Sequence, residues 1–213
     1  MPHADTSLVP ESITTKSEFW AHVHTQLEVL LEGQSSWVSN LANTSSLVFN
    51  SLLAFPAHFG KDDDRAVNWC GDDYHLTTIL LEGFYLDSPL FPPSANQAST
   101  LTSSRLLLGP FCGKPACQFI NVSPAKARGV CADAFLKQKT VLVSNVDEYP
   151  GHIACDGETK SEIVCPLIIK KEDGEEKVIG VFDLDCLALN GFDEDDRVGL
   201  EKIVTLVINS CQW

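Results

Sequence analysis

The stretch SEIVCPLIIKKEDGEEKVIGVFDLDC, Ser161 to Cys186, constrains this chain more than any other. Two apolar runs, EIVCPLIIK and KVIGVFDLDC, flank a charged segment whose Asp173-Gly174 pair has the chemistry of a tight turn, so the stretch reads as an antiparallel hairpin. With Asp173 and Gly174 as a two-residue loop, Glu172 faces Glu175, and counting outward carries Glu162 to a place opposite Asp185. Asp183, two residues from Asp185, shares its face. Three carboxylates on one side of two adjacent strands repel one another unless water or a cation relieves them. A register slip of one residue would send Glu162 to the other face, away from both aspartates.

The flanking sequence supplies both helices and further short strands. Apolar residues recur at helical spacing from Ser17 to Glu32 (Phe19, Trp20, Val23, Leu27, Leu30, Leu31), with Gly33 as a stop. A second helix is expected over 36–59, with Trp37, Leu41, Leu47, Leu52 and Phe55 inward and Pro56 ending or kinking it. Strand-like runs follow at Phe84–Leu86, Arg105–Leu108, Cys117–Val122 and Val141–Val143. A short helix starts near Gly129, and a last one over 193–210 is capped by Asp193.

With 213 residues, the chain is expected to form a single domain over 17–213 behind a solvated tail over 1–16. That tail has neither the order of a secretory signal nor the arginine bias of a transit peptide, which points to the cytoplasm, with the nucleus left open. A formal charge of -14 disfavours nucleic acid as a partner, and no apolar stretch is long enough to cross a bilayer.

Eight cysteines in such a chain are not expected to form a disulfide framework. Cys165 and Cys211, inside apolar runs, read as core thiols. Cys155 lies in the turn-rich loop PGHIACDGETKSE, seven residues before Glu162, with His152 and Lys160 as the local groups able to favour its thiolate. Cys131 follows Arg128-Gly129-Val130 at a helix start, where backbone N–H groups would favour a thiolate too. Cys117 precedes it in KPACQF. Without a C-x-x-C pair, no metal site is expected, and no G-x-S-x-G, phosphate-binding glycine loop or H-E-x-x-H occurs.

The strings NWCG, FYL, LLLGPFCGKPACQF, RGVCADA, VDEYPGHIACDGETKSEIVCPLI and GVFDLDC, in this order, resemble the free methionine-(R)-sulfoxide reductases, a family of single GAF-domain enzymes. The resemblance implies an α+β fold, a GAF-like antiparallel sheet of about six strands sandwiched between helices, with a small pocket for one free amino acid. It implies conversion of free L-methionine (R)-S-oxide to L-methionine by thiol chemistry. Cys117, Cys131 and Cys155 match the family's three cysteines. One attacks the sulfoxide sulfur, and the sulfenic acid left behind is captured as a disulfide that thioredoxin reduces. No bound cofactor is implied, only thioredoxin and NADPH as external reductant, and a homodimer stays open.

Within that scheme Cys155 is assigned the attack because it leads into Glu162, with Cys117 resolving it and Cys131 competing for the attacking role. Glu162, kept partly neutral by its acidic neighbours, would protonate the leaving oxygen, while Asp183 and Asp185 hold the substrate ammonium. Trp69 and Tyr85 match the aromatic pocket wall. The family's continuous NWxGFYL is interrupted here between Gly71 and Phe84, so loops are expected to bulge out near 72–83 and 87–104. The Cys117 to Cys131 spacing is also longer than the pattern, near 121–127. The rival reading is a GAF-type sensor or redox-regulated binding module that holds a small ligand without chemistry.

Overall fold

The computed structural model describes residues 9–59, 79–90, 105–153 and 157–213. Helix α1 (Lys16–Leu31) and helix α2 (Trp37–Leu53) come first, followed by strands β1 (Ile79–Asp87), β2 (Arg105–Gly113) and β3 (Phe119–Asn121). Helix α3 (Gly129–Lys137), β4 (Val141–Val143), β5 (Ser161–Lys170), β6 (Glu176–Cys186) and α4 (Glu194–Ser210) complete the chain. The strands form one antiparallel sheet in the order β3-β2-β1-β6-β5-β4. β6 returns to pair with β1 although β2 to β5 lie between them in the chain, so the β5–β6 hairpin sits near the middle and is paired on both sides.

The period-two alternation of β5 and β6 sends side chains to two different layers. Ile163, Cys165, Phe182 and Leu184 face α1, α2 and α4 and share their core with Phe19, Leu27, Leu41 and Ile203. Val164 and Val181 face the other way, toward Tyr85, Leu106, Val130, Cys131 and Ala134. Both faces are covered, which is why β5 and β6 read as nearly continuous apolar runs. Among the described residues, no helix is long and apolar enough to cross a membrane.

The expected elements form, with instructive differences at their ends. Helix α2 stops at Leu53 rather than reaching Phe59, because the residue before Pro56 is driven out of the helical region. Phe55 still enters the core, stacked on Phe19 at 4.6 Å between ring centroids. Strand β2 runs on to Gly113 through Pro110, which falls where the pairing with β1 shifts between Gly83 and Tyr85. Proline fits there because an irregular pair has no ladder bond for it to donate. Strand β3 is shorter than expected and leaves Cys117 ahead of it. The looped-out segments expected near 72–83 and 87–104 lie largely outside the described residues.

The hairpin reaches its expected far-end register by an unexpected route. The tip is a three-residue loop: the Lys171 N–H donates to the Glu175 carbonyl at 2.9 Å, and Gly174 adopts φ +84°, a conformation glycine takes at little cost. Glu172 therefore does not face Glu175, and Lys170 pairs with Glu176. The register then shifts between Leu167 and Ile168, where Ile179 is an extra residue on β6. One added residue in the loop and one in the bulge preserve parity, so Glu162 lies opposite Asp185 after all.

The segment expected as a solvated tail does structural work at its far end. Val9 and Ile13 pack on the core, and Lys16 is buried. Its Nζ meets Asp196 Oδ2 at 2.5 Å and Asp193 Oδ2 at 2.9 Å, and it donates to the Gly191 carbonyl at 2.9 Å. Asp196, fully buried, also accepts from Trp20 Nε1 at 2.8 Å and closes a capping box at the start of α4. The close approach of α1 to α4 needs Gly199, since a Cβ there would lie 2.1 Å from the Trp20 ring. Removing one member of a buried pair strands the other, so Lys16→Met is expected to cost about 3–5 kcal/mol in urea unfolding. A loss below about 1 kcal/mol would show that Asp196 does not rely on this lysine.

Candidate active site

Glu162 on β5 and Asp183 and Asp185 on β6 lie on the α3 side of the sheet, all at least nine-tenths buried. Helix α3 lies over them and directs the Cys131 thiol downward. Its Sγ donates to Asp183 Oδ2 at 3.1 Å and stands 4.0 Å from Glu162 Oε1. From the loop before β5, His152 Nε2 reaches Glu162 Oε2 at 3.3 Å. Arg128, Ile153 and Ile120 rim a cleft that opens onto these groups, with about 20 Å³ of free space, room for one water.

The electrostatics follow from crowding like charges away from solvent. Burial, then the Asp185 charge, pushes the Glu162 carboxyl well above the ordinary carboxylate range, and Asp183 rises through burial and Glu162. A carboxylate oxygen of Glu162 lies within 4.8 Å of one of Asp183, and acids crowded and buried in this way avoid both being ionised. Burial lowers the pKa of His152. These are the conditions that keep one carboxylic acid protonated and able to donate.

Cys131 departs from expectation. It occupies the first turn of α3, as its place after Arg128-Gly129-Val130 predicts. Yet its thiol pKa is raised, not lowered, first by burial and then by Asp183 and Glu162. The helix end contributes at most about 2 kcal/mol, and desolvation next to two acids outweighs it.

The other expected site residues divide clearly. Tyr85 is buried on the same face and packs in the cluster that includes Cys131, Val164 and Val181. Cys117 is half-buried at the edge of that cluster. Cys155 and Trp69 lie outside the described residues. Among the described residues, His152 and Lys160, expected to favour the Cys155 thiolate, meet acids: His152 faces Glu162, and Lys160 Nζ pairs with Asp147 Oδ2 at 3.2 Å. Sequence reasoning missed Arg128 as a cleft residue and the contact of Tyr149 with Asp133, 2.5 Å from hydroxyl to Oδ2. A larger groove of about 1070 Å³ lies between β5 and α4 on the opposite face, but its thiol, Cys165, is pushed up to about 12 by burial.

A free methionine-R-sulfoxide reductase of Saccharomyces cerevisiae is 39% identical over 196 residues, covering 92% of this chain and 87% of the yeast protein. The chain belongs to the free methionine-R-sulfoxide reductase family. A solved GAF domain matches the whole chain and 98% of its own at 37% identity and a TM-score of 0.73, so the fold of this family member is a GAF domain. The free methionine-R-sulfoxide reductase of Neisseria meningitidis, solved with its substrate, matches 96% of this chain and 95% of its own at 30% identity and a TM-score of 0.68. No family model matches the chain.

Because Glu162 is held protonated against its intrinsic preference, its raised pKa stabilises the reductase fold below the ordinary value of 4.5, and that stabilisation is lost as pH rises through the folded pKa. Glu162→Gln carries no such loss. It is expected to melt progressively higher than the parent protein between about pH 5 and about pH 8, reaching a gain of about 0.5–2 kcal/mol. A pH-independent difference would contradict the crowded-acid account.

Proposed function

We propose that this chain reduces free L-methionine (R)-S-oxide to L-methionine through cysteine sulfenic acid and a disulfide that thioredoxin recycles. The observation that carries the reading is the buried cluster of Glu162, Asp183 and Asp185 in a member of this family. Sulfoxide oxygen leaves poorly until it is protonated, and Glu162 has the raised pKa such an acid needs. The remaining carboxylate charge suits the ammonium of a free amino acid, and Tyr85 supplies an apolar wall next to it.

In this reading Cys155 sulfur attacks the sulfoxide sulfur while Glu162 gives its proton to the oxygen. Hydroxyl transfer to Cys155 leaves the sulfenic acid, and methionine departs as the thioether. The Cys117 thiolate then attacks the Cys155 sulfur, water is expelled, and thioredoxin dithiol reduces the resulting disulfide. The environment of Cys131 supports giving the attack to Cys155, since a thiol held protonated by burial and two acids is a weak nucleophile. The cleft as folded is smaller than an amino acid, so substrate entry requires Ile153, half-exposed over it, to move aside.

NADPH oxidation coupled through thioredoxin, with free R sulfoxide, free S sulfoxide and a sulfoxide-containing peptide offered separately, tests the assignment. Turnover is expected with the free R form alone. Saturable binding without NADPH consumption would replace the reductase with a sensor. In a single turnover Cys155→Ser is expected to release no methionine, whereas Cys117→Ser releases one equivalent and stalls; normal release from Cys155→Ser would reject it as the nucleophile.

A further inference from the structure

The acid cluster is short of positive charge. Asp183 is buried, its Oδ1 receives no hydrogen bond among the described residues, and its Oδ2 accepts from the Cys131 thiol, a weak donor. The ligand atoms of Cys131, Glu162 and Asp183 all lie within 4.8 Å of one another. A tetrahedral zinc ion with one sulfur and two oxygen ligands needs a sulfur-to-oxygen edge of about 3.5 Å, given bonds near 2.3 and 2.0 Å. The two such edges here, 3.1 and 4.0 Å, bracket that value. His152 Nε2 lies outside that group but 3.3 Å from Glu162 Oε2. The free space of about 20 Å³ matches an ion better than an amino acid.

We infer that the reduced protein binds one zinc ion at Cys131, Glu162 and Asp183, with His152 turning from its contact with Glu162 to complete the shell, and that this ion excludes substrate. A soft thiolate beside carboxylates and an imidazole is a donor set that zinc takes in preference to magnesium or calcium. The expectation of no metal rested on the missing C-x-x-C pair; this set comes from four separate elements and has no spacing signature. On binding, Cys131 gives up its thiol proton to solvent and the Glu162 carboxyl proton leaves with it, so the ion replaces two protons with two positive charges. That the ion inhibits rests on the reductase reading above; that it binds does not.

Cobalt(II) titrated into the reduced, full-length protein tests the site. One equivalent should give tetrahedral d–d bands and a sulfur-to-cobalt charge-transfer band in the near ultraviolet, and zinc should bleach both. Cys131→Ser should lose the charge-transfer band, with circular dichroism confirming its fold, whereas Cys117→Ser and Cys155→Ser keep it. Asp183→Asn should bind cobalt about tenfold or more weakly. Survival of the band in Cys131→Ser, unchanged affinity in Asp183→Asn, or no saturable uptake by the parent protein overturns the site. Zinc should also raise the apparent KM for methionine sulfoxide; if the cobalt bands appear but no reductase activity exists to inhibit, the metal site stands and the proposed function falls.

Discussion

The site rests on one unfavourable pairing: Glu162 directly across from Asp185 at the buried end of two strands covered on both faces. Opposed like charges destabilise a sheet even where water can screen them. Here they persist because β5 and β6 are paired on both sides and packed on both faces, so neither strand can slip or splay to separate them. What surrounds the acids reads as partial relief. The Cys131 thiol donates to Asp183, His152 faces Glu162, and the Glu162 carboxyl holds its proton more tightly than an exposed one would.

The contrast with Asp196 shows what full relief looks like. That carboxylate is buried as deeply, yet it meets the Lys16 ammonium, accepts from the Trp20 indole and closes a cap at the start of α4. It ties two helices and leaves nothing for a ligand to satisfy. Asp183 keeps a bare oxygen. The side of the sheet that packs α1, α2 and α4 thus carries the satisfied Lys16–Asp196 contact and the large aromatic side chains, whereas Asp183 on the α3 side keeps an oxygen without a hydrogen bond among the described residues. Stability on one face sustains strain on the other.

Much of this was legible in the residues, for reasons that differ by element. Amphipathic spacing marked α1 and α4, whose inward stripes are long enough to show a period. The acid face was legible because side chains alternate strictly along a strand, so parity alone places Glu162 with Asp183 and Asp185. The tip was misjudged by one residue, and Ile179 restored the count, an outcome that no local pattern in KVIGV announces. The thiolate expected at Cys131 failed because helix position is a local property, whereas its surroundings are assembled from β5 and β6, some thirty to fifty residues away. His152 was read as a neighbour of Cys155 in sequence; its contact is with an acid on the next strand. Cys155 was legible from its loop ahead of Glu162 and Trp69 entered through family resemblance; both lie outside the described residues.

The irregularity at Ile179 also separates two jobs along one hairpin. Because the extra residue sits between the exposed tip and the acidic end, a length change at the tip could be absorbed by gaining or losing that kink, leaving the far pairing in phase. The turn can then drift in length and charge under its own pressures, while the chemistry about 25–35 Å down the strands keeps its alignment.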